Sequence, residues 1–317
     1  MSDDLLQAIT TAASALPEPV KANIFQAIGR LVGAAVDVPV AYLEGKAQAM
    51  RDDAAGRSAV SRAAADAAAA RIGVSPELTG RAVDYYAERM LRQQSAREKI
   101  AALAAADLNA RPPSADEAQG PVSEDWLDMF ARLAEGRSDE DVQAYFGKLL
   151  AEEIRQPGSF SPATMQILAT INPPLAKLFQ AFCSVTVTLG AVPNMAFVIS
   201  SPFGAPGDNK LSPFGLSYSQ LTQLQSAGLV HTDLTAWRDL PRFLLGSGLS
   251  VAKRPVVELL RVEGPQPWLT EPVRASVVNF TPSGHELYRI VHATPNPGYV
   301  DGLRDWIRTQ LTPPTNT

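Results

Sequence analysis

Apolar residues recur at helical spacing along most of this chain, and near residue 185 the pattern changes to short extended runs. The helical spacing is sharpest from Ser123 to Ile171. Trp126, Phe130 and Leu133 share one helix face, and Gly136 stops that helix. Ser123 is placed to cap its start, with Glu124 and Asp125 at the positive end of the dipole. A second helix is expected from Ser138, with Asp141 three residues on in near capping-box spacing. Val142, Tyr145, Phe146, Leu149, Leu150 and Ile154 form its apolar stripe. Lys148 and Glu152, one turn apart, are expected as a surface ion pair. Gln156-Pro157-Gly158 ends this helix, and Ser161-Pro162 opens a third that buries Met165, Leu168 and Ile171 before Asn172-Pro173-Pro174 closes it. Loops this short require the helices to pack together. Pro157 to Ser161 then reads as a defined corner, serving either the core or a contact.

Upstream, residues 3–16 read as a short helix, and Asn23 to Leu43 is the most apolar window. Arg30, Asp37 and Pro39 interrupt that window, so it does not supply the uncharged span of about twenty residues that crosses a bilayer. Gly29 and Gly33 form a small-residue pair that permits close helix approach, which points to the N-terminal core or an oligomer contact. An amphipathic segment here leaves a membrane-surface role open. Ala47 to Ala70 is alanine-rich with few large anchors, and a packing partner would steady it. Glu77 to Asn109 reads as one long helix with an intermittent apolar edge at Tyr86, Met90, Ile100, Leu103 and Leu108. Arg92, Arg97, Glu98 and Lys99 form a solvated face, and of Tyr85 and Tyr86 one is expected in the core, because neighbours diverge by about 100°.

Downstream, residues 111–121 read as a linker and Pro174 to Val185 as a helix with Leu175, Leu178, Phe179 and Phe182 inward. Strand-like runs follow at Val185–Leu189, Ala196–Ser200, Val256–Arg261 and Ala275–Phe280. Leu216 to Leu229 is a helix capped by Ser217 or Ser219, another starts at Thr281, and residues 299–311 form a last amphipathic helix packing Leu303, Trp306, Ile307 and Leu311. Helix, turn, two strands and helix are winged-helix-like in order, which is an architecture and not an activity.

Charge narrows the partners. The 317 residues carry a formal net charge of -5, with 12 basic against 13 acidic residues in 1–110, 6 against 11 in 111–180 and 10 against 9 in 181–317. No region is strongly basic, which argues against non-specific nucleic-acid binding. Gln220, Gln223 and Gln225 on the 216–229 helix lack a basic flank. The single cysteine, Cys183, excludes an internal disulfide and any multi-cysteine zinc site, and no basic neighbour in the sequence would activate it. The start of the sequence has no signal-peptide pattern, so a reducing cytoplasm is expected.

Nucleotide-loop, zincin and nucleophile-elbow motifs are missing, so no catalytic residue, cofactor or metal is assigned. His285 and His292 would share a helix face about 10 Å apart along the axis, too far for one metal ion. His285-Glu286 reads as a surface pair. A triad from Ser159 or Ser161 with His231 and Asp233 is the kind of grouping any such chain allows.

Asp125-Trp126-Leu127, Ser138 to Gln143, Leu149 to Ile154 and Pro157 to Ser161 together resemble an uncharacterised bacterial family, domain of unknown function number twenty-eight-oh-six. Members carry Trp where this chain has Tyr145 or Phe146, and an Arg-Thr pair where it has Ala163-Thr164. The resemblance supplies no activity; it implies a cytoplasmic bacterial protein, with a place in defence against phage.

The expected architecture is mainly α with a C-terminal α+β part: a helical region 1–110, a linker 111–122, a central helical unit 123–185 and a winged-helix-like domain 186–317. The expected function is non-enzymatic, through self-association or a protein partner, with no small molecule inferred. Gly29, Gly33, Trp126, Tyr145, Pro157, Gly158, Ser159 and Phe160 are the candidate contact residues. A membrane-active effector using Asn23–Leu43 and a winged-helix DNA binder are the alternatives.

Overall fold

A computed structural model describes residues 18–32, 76–114, 117, 120–189, 195–231, 233, 236–242, 245, 249–255 and 271–311. The expected elements at 3–16, 33–43, 47–70 and 256–261 lie outside the described residues. Within them the protein is a mixture of helices and one antiparallel sheet, and it divides into two compact units, Met1–Gly158 and Ser159–Thr317.

The first unit is helical: α1 (Glu18–Val32), α2 (Pro76–Ala110), α3 (Glu124–Ala134) and α4 (Glu140–Arg155). On α1, Ile24, Ala27, Ile28 and Leu31 are at most 1% exposed, so the inner face of the apolar window is core, packed on α2 and α3. The latter half of α2 buries Ala101, Ala104 and Ala105 beside Ile100 and Leu108. Small side chains there let α4 come close: a Cβ added to Gly147 would lie 2.6 Å from Leu103 Cβ and 3.2 Å from the Ala104 nitrogen. Trp126 stacks on Phe130 at 5.1 Å, and Phe130 meets Phe146 edge-on at 5.5 Å, joining α3 to α4.

The caps differ in detail from expectation. Ser123 makes no side-chain cap bond, and α3 is tied instead by Arg30 of α1, which reaches Asp128 at 2.9 Å and Glu124 at 3.3 Å. The Arg30 hydrogen bond holds the Asp128 carboxyl below its ordinary range. The α4 cap is Asp139, one residue later than Ser138; its carboxylate accepts the Val142 N–H at 3.0 Å, a stronger acceptor than a hydroxyl. Glu152 is taken by Arg111 and Arg155, at 2.7 and 2.8 Å, and not by Lys148. Arg97 is half-buried against Glu135, not solvated.

Arg155 is the largest fully buried side chain, 1% exposed. It donates to the Arg111 carbonyl at 2.9 Å and the Asp107 carbonyl at 2.7 Å, and it pairs with the Asp107 carboxylate at 2.6 Å. A cation thus caps the C-terminal carbonyls of α2 from the last turn of α4, where the helix dipole favours it.

The second unit packs helices on a six-stranded sheet. The strands are β1 (Val187–Leu189), β2 (Ala196–Ile199), β3 (Trp237–Pro241), β4 (Leu249–Val251), β5 (Arg254–Pro255) and β6 (Pro272–Asn279), in spatial order β3-β6-β2-β1-β4-β5. The helices are α5 (Pro162–Thr170), α6 (Pro173–Ser184), α7 (Tyr218–Ser226), α8 (Pro282–Ile290) and α9 (Pro297–Gln310). Four of these open with Ser, Asn or Thr followed by Pro, and Ser161, Asn172, Thr281 and Asn296 each accept a first-turn N–H. Asn172 thereby begins α6 as well as ending α5. Ser217 caps α7 in a complete capping box with Gln220.

Phe280 packs edge-on against Phe179 and Phe182, fixing α6 on the sheet. The register pairs Val187 with Phe197, so β1 stops short of Ile199. The Tyr299 hydroxyl of α9 fills the vacant place: it donates to the Ile199 carbonyl at 2.9 Å and accepts the Ile199 N–H at 3.0 Å. Burial pushes that phenol well above its ordinary pKa. Between β4 and β5, Ala252 (φ 47°) and Lys253 (φ 64°) both take the left-handed backbone of a tight hairpin turn. Lys253 Nζ reaches the carbonyls of Arg289 and Val291 at 2.8 and 3.1 Å, at the end of α8. These cation–carbonyl bonds offset strain of about 1–2 kcal/mol per left-handed residue.

At Gly147 the α2–α4 approach leaves no room for a methyl group. Gly147→Ala is expected to lower the unfolding free energy by about 1–3 kcal/mol, read as a lower urea midpoint. An unchanged midpoint would show that the helices separate freely there.

Candidate functional site

Two segments stand out: the Pro157–Ser161 stretch that the sequence singles out, and the N-terminal half of α2.

Gly158, at φ +84°, turns the chain after α4, and its N–H donates to the buried Glu153 carboxylate at 2.6 Å. Pro157 and Ser159 are half-buried and Gly158 is exposed. Phe160 is 2% exposed, and the Arg289 guanidinium lies 5.4 Å from its ring centre. Ser161 begins α5, and there the Glu286 carboxylate of α8 settles. One oxygen accepts from the Ser161 N–H at 2.7 Å, the Ser161 hydroxyl at 3.1 Å and the Thr164 hydroxyl at 2.6 Å. A helix N-terminus attracts an anion, and this one holds an anion of the same unit. Glu286 is therefore not the surface partner of His285. Ser161, engaged by Glu286, is held as a cap and not as a nucleophile.

The other contact candidates are spread through the first unit. Trp126 is 7% exposed in the α3 face. Tyr145 is half-buried on α4, Gly29 is buried on α1, and Gly33 lies outside the described residues.

The α2 helix has two unlike halves. From Glu77 to Arg92 every described side chain is exposed, and the first buried one is Ala96. Val83, Tyr86 and Met90 form one stripe at helical spacing, exposed by 39%, 60% and 54%, with Tyr85 and Leu91 beside it. Neither tyrosine enters the core; their rings meet edge-on at 6.0 Å. The intermittent apolar edge thus serves two purposes, since Ile100 and Leu108 are buried while Tyr86 and Met90 face water. Over residues 76–92 this arm is about 25 Å long.

Among the described residues, the cysteine and the three histidines stand apart from one another. Cys183 is fully buried, and burial pushes its thiol up, away from thiolate character. His231 is exposed and His292 lies beyond the end of α8. His285 is half-buried at 6.3 Å from the Phe280 ring; burial lowers its pKa, with Arg289 adding to the effect. Among the described residues no three His, Cys, Asp or Glu side chains group to hold a metal, and no helix is long and apolar enough to cross a membrane.

A family model described as a protein of unknown function, DUF2806, matches residues 81–304. No curated protein and no solved structure matches the chain.

The depressed pKa of His285 has a consequence for stability. The folded state disfavours its protonation, so its contribution is complete above the unfolded value of about 6.5 and declines as pH falls below it. Urea unfolding at pH 7.5 and 5.5 should show a larger loss for the wild type than for His285→Gln. Equal losses would remove His285 as the source.

Proposed function

The chain belongs to the DUF2806 family of proteins of unknown function, and we propose that this member is non-enzymatic and works by self-association or by holding a protein partner on the α2 arm. The observation that carries this reading is the arm itself: a helix whose side chains are exposed through residue 92, with Val83, Tyr86 and Met90 in one stripe. An isolated helix of this length is marginal in water, and most helices gain their stability by burying an apolar face. Burying such side chains contributes about 1.5–3 kcal/mol each. Arg81, Asp84, Glu88, Arg89 and Arg92 surround the stripe, giving the polar rim usual around a docking face. The phage-defence setting rests on the family resemblance alone.

Two alternatives stand beside it. For a winged-helix-like DNA reader, α7 precedes the antiparallel pair β3–β6, where Arg274 lies 4.7 Å from the ring centre of the exposed Trp237. Six strands exceed the sheet such a unit needs, and α7 carries no cation. A salt-resistant mobility shift would favour this reading. For a membrane-active effector, α1 would have to withdraw Ile24, Ile28 and Leu31 from the core, at about 1.5–3 kcal/mol each. Liposome flotation tests it.

Light scattering after size exclusion, with a pull-down from the native host, decides the main reading. The wild type should run above its 33.9 kDa monomer mass or retain a protein partner. Tyr86→Ser with Met90→Ser should run as a folded monomer without one. A wild-type monomer that retains nothing, or a double variant that behaves like the wild type, would sink it.

A further inference from the structure

The apolar stripe on the α2 arm is the first section of a longer seam. From Val83 it runs through Tyr86, Met90, Gln93 and Arg97 to Ile100, in alternating steps of three and four. That is the repeat of a helix packed lengthwise on another. Ile100 is 0% exposed, and Gln93 and Arg97 are half-buried, each bonded to Glu135. The second section of the seam is thus a packing face already, while the first faces water. Among the described residues, six of the nine large apolar side chains that face water are on this arm, so the exposed apolar surface is concentrated on one face that continues a packed one.

Three features fit this face to a second copy of itself. The first is length. The exposed stretch runs from Glu77 to Arg92, and at Gln93 the unit begins to cover the helix. Two arms laid antiparallel and centred between residues 84 and 85 bring Glu77 of one copy level with Arg92 of the other. Each arm then spans the exposed stretch of its neighbour and stops where the neighbour's own unit begins.

The second feature is side-chain size. In that same register Val83 of each copy meets Tyr86 of the other, small against large, on both sides of the two-fold axis. A parallel pair would set Tyr86 on Tyr86 and Met90 on Met90. Gly80, Ala82 and Ala87 border the seam, and a Cβ added to Gly80 would meet nothing within 4 Å. Small borders let two helix axes approach to about 8 Å. The third feature is charge. The first half of the stretch has Arg81 against Glu77 and Asp84, and the second half has Arg89 and Arg92 against Glu88. An antiparallel pair sets each half beside the opposite sign, and its helix dipoles oppose as well.

We propose that two copies of this chain pair through their α2 arms, antiparallel about a two-fold axis between residues 84 and 85. The pairing rests on the arm serving as a contact surface, as proposed above, and fixes its occupant, direction and register.

Light scattering of the full chain after size exclusion should give twice the 33.9 kDa monomer mass. Val83→Tyr alone sets tyrosine against tyrosine in both layers and should weaken the dimer about tenfold or more. Adding Tyr86→Val restores small against large, and with it the affinity. Spin labels on Arg92→Cys should stand about 22 Å apart along the axes, and those on Asp84→Cys side by side. Cys183 is fully buried and stays unlabelled. A wild-type monomer would overturn the pairing; if that monomer still retains a protein partner through Tyr86 and Met90, the arm remains a contact surface and only the second copy is wrong. A dimer with both label pairs equally close would overturn the direction. Weakening that Tyr86→Val does not restore would overturn the register. A dimer unchanged by Tyr86→Ser with Met90→Ser would overturn the pairing and the role of the arm together.

Discussion

A guanidinium shut away from water closes the helical unit. Arg155 draws together the last turns of α2 and α4 by binding two backbone carbonyls and two carboxylates. Taking a cation out of water costs several kcal/mol, and only a full set of partners offsets that cost. The set is met when α2 ends where it does and α4 arrives at the right depth. The close approach at Gly147 sets that depth. Hydrophobic burial supplies the attraction, and the buried cation admits only one register for it.

The second unit repeats this logic with an anion. Glu286, from the middle of α8, sits on the N-terminus of α5 and ties the two helices, while Lys253 holds the carbonyls at the C-terminal end of α8. The start of α5 and the end of α8 are thus each held by a charge placed where the backbone groups need it. The Tyr299 hydroxyl does the same service for the side of Ile199 that β1 does not reach.

Much of the helical framework was legible in the sequence because its punctuation is strong. Ser161-Pro162, Thr281-Pro282 and the long helix from Glu77 declare themselves, as do the buried runs that became β1, β2 and β6. Finer features depend on neighbours far along the chain. Arg155 reads as an ordinary surface residue until the carbonyls of Asp107 and Arg111 are set beside it. Glu286 sits next to His285 in sequence, yet its partners lie more than a hundred residues away. Tyr86 and Met90 have the spacing of core residues, and only tertiary placement reveals that nothing in the described structure buries them.

The α2 helix runs without a glycine or proline from Arg81 to Ala110, from water into the middle of its unit. A helix of that kind does not bend easily, so it behaves as a lever. A load applied at Tyr86 is delivered some 25 Å away, where Leu103 meets Gly147, and farther on, where Arg155 grips the end of the helix. Whatever holds the tip therefore holds the packing of the whole helical unit as well, and mechanical communication along this chain needs no hinge.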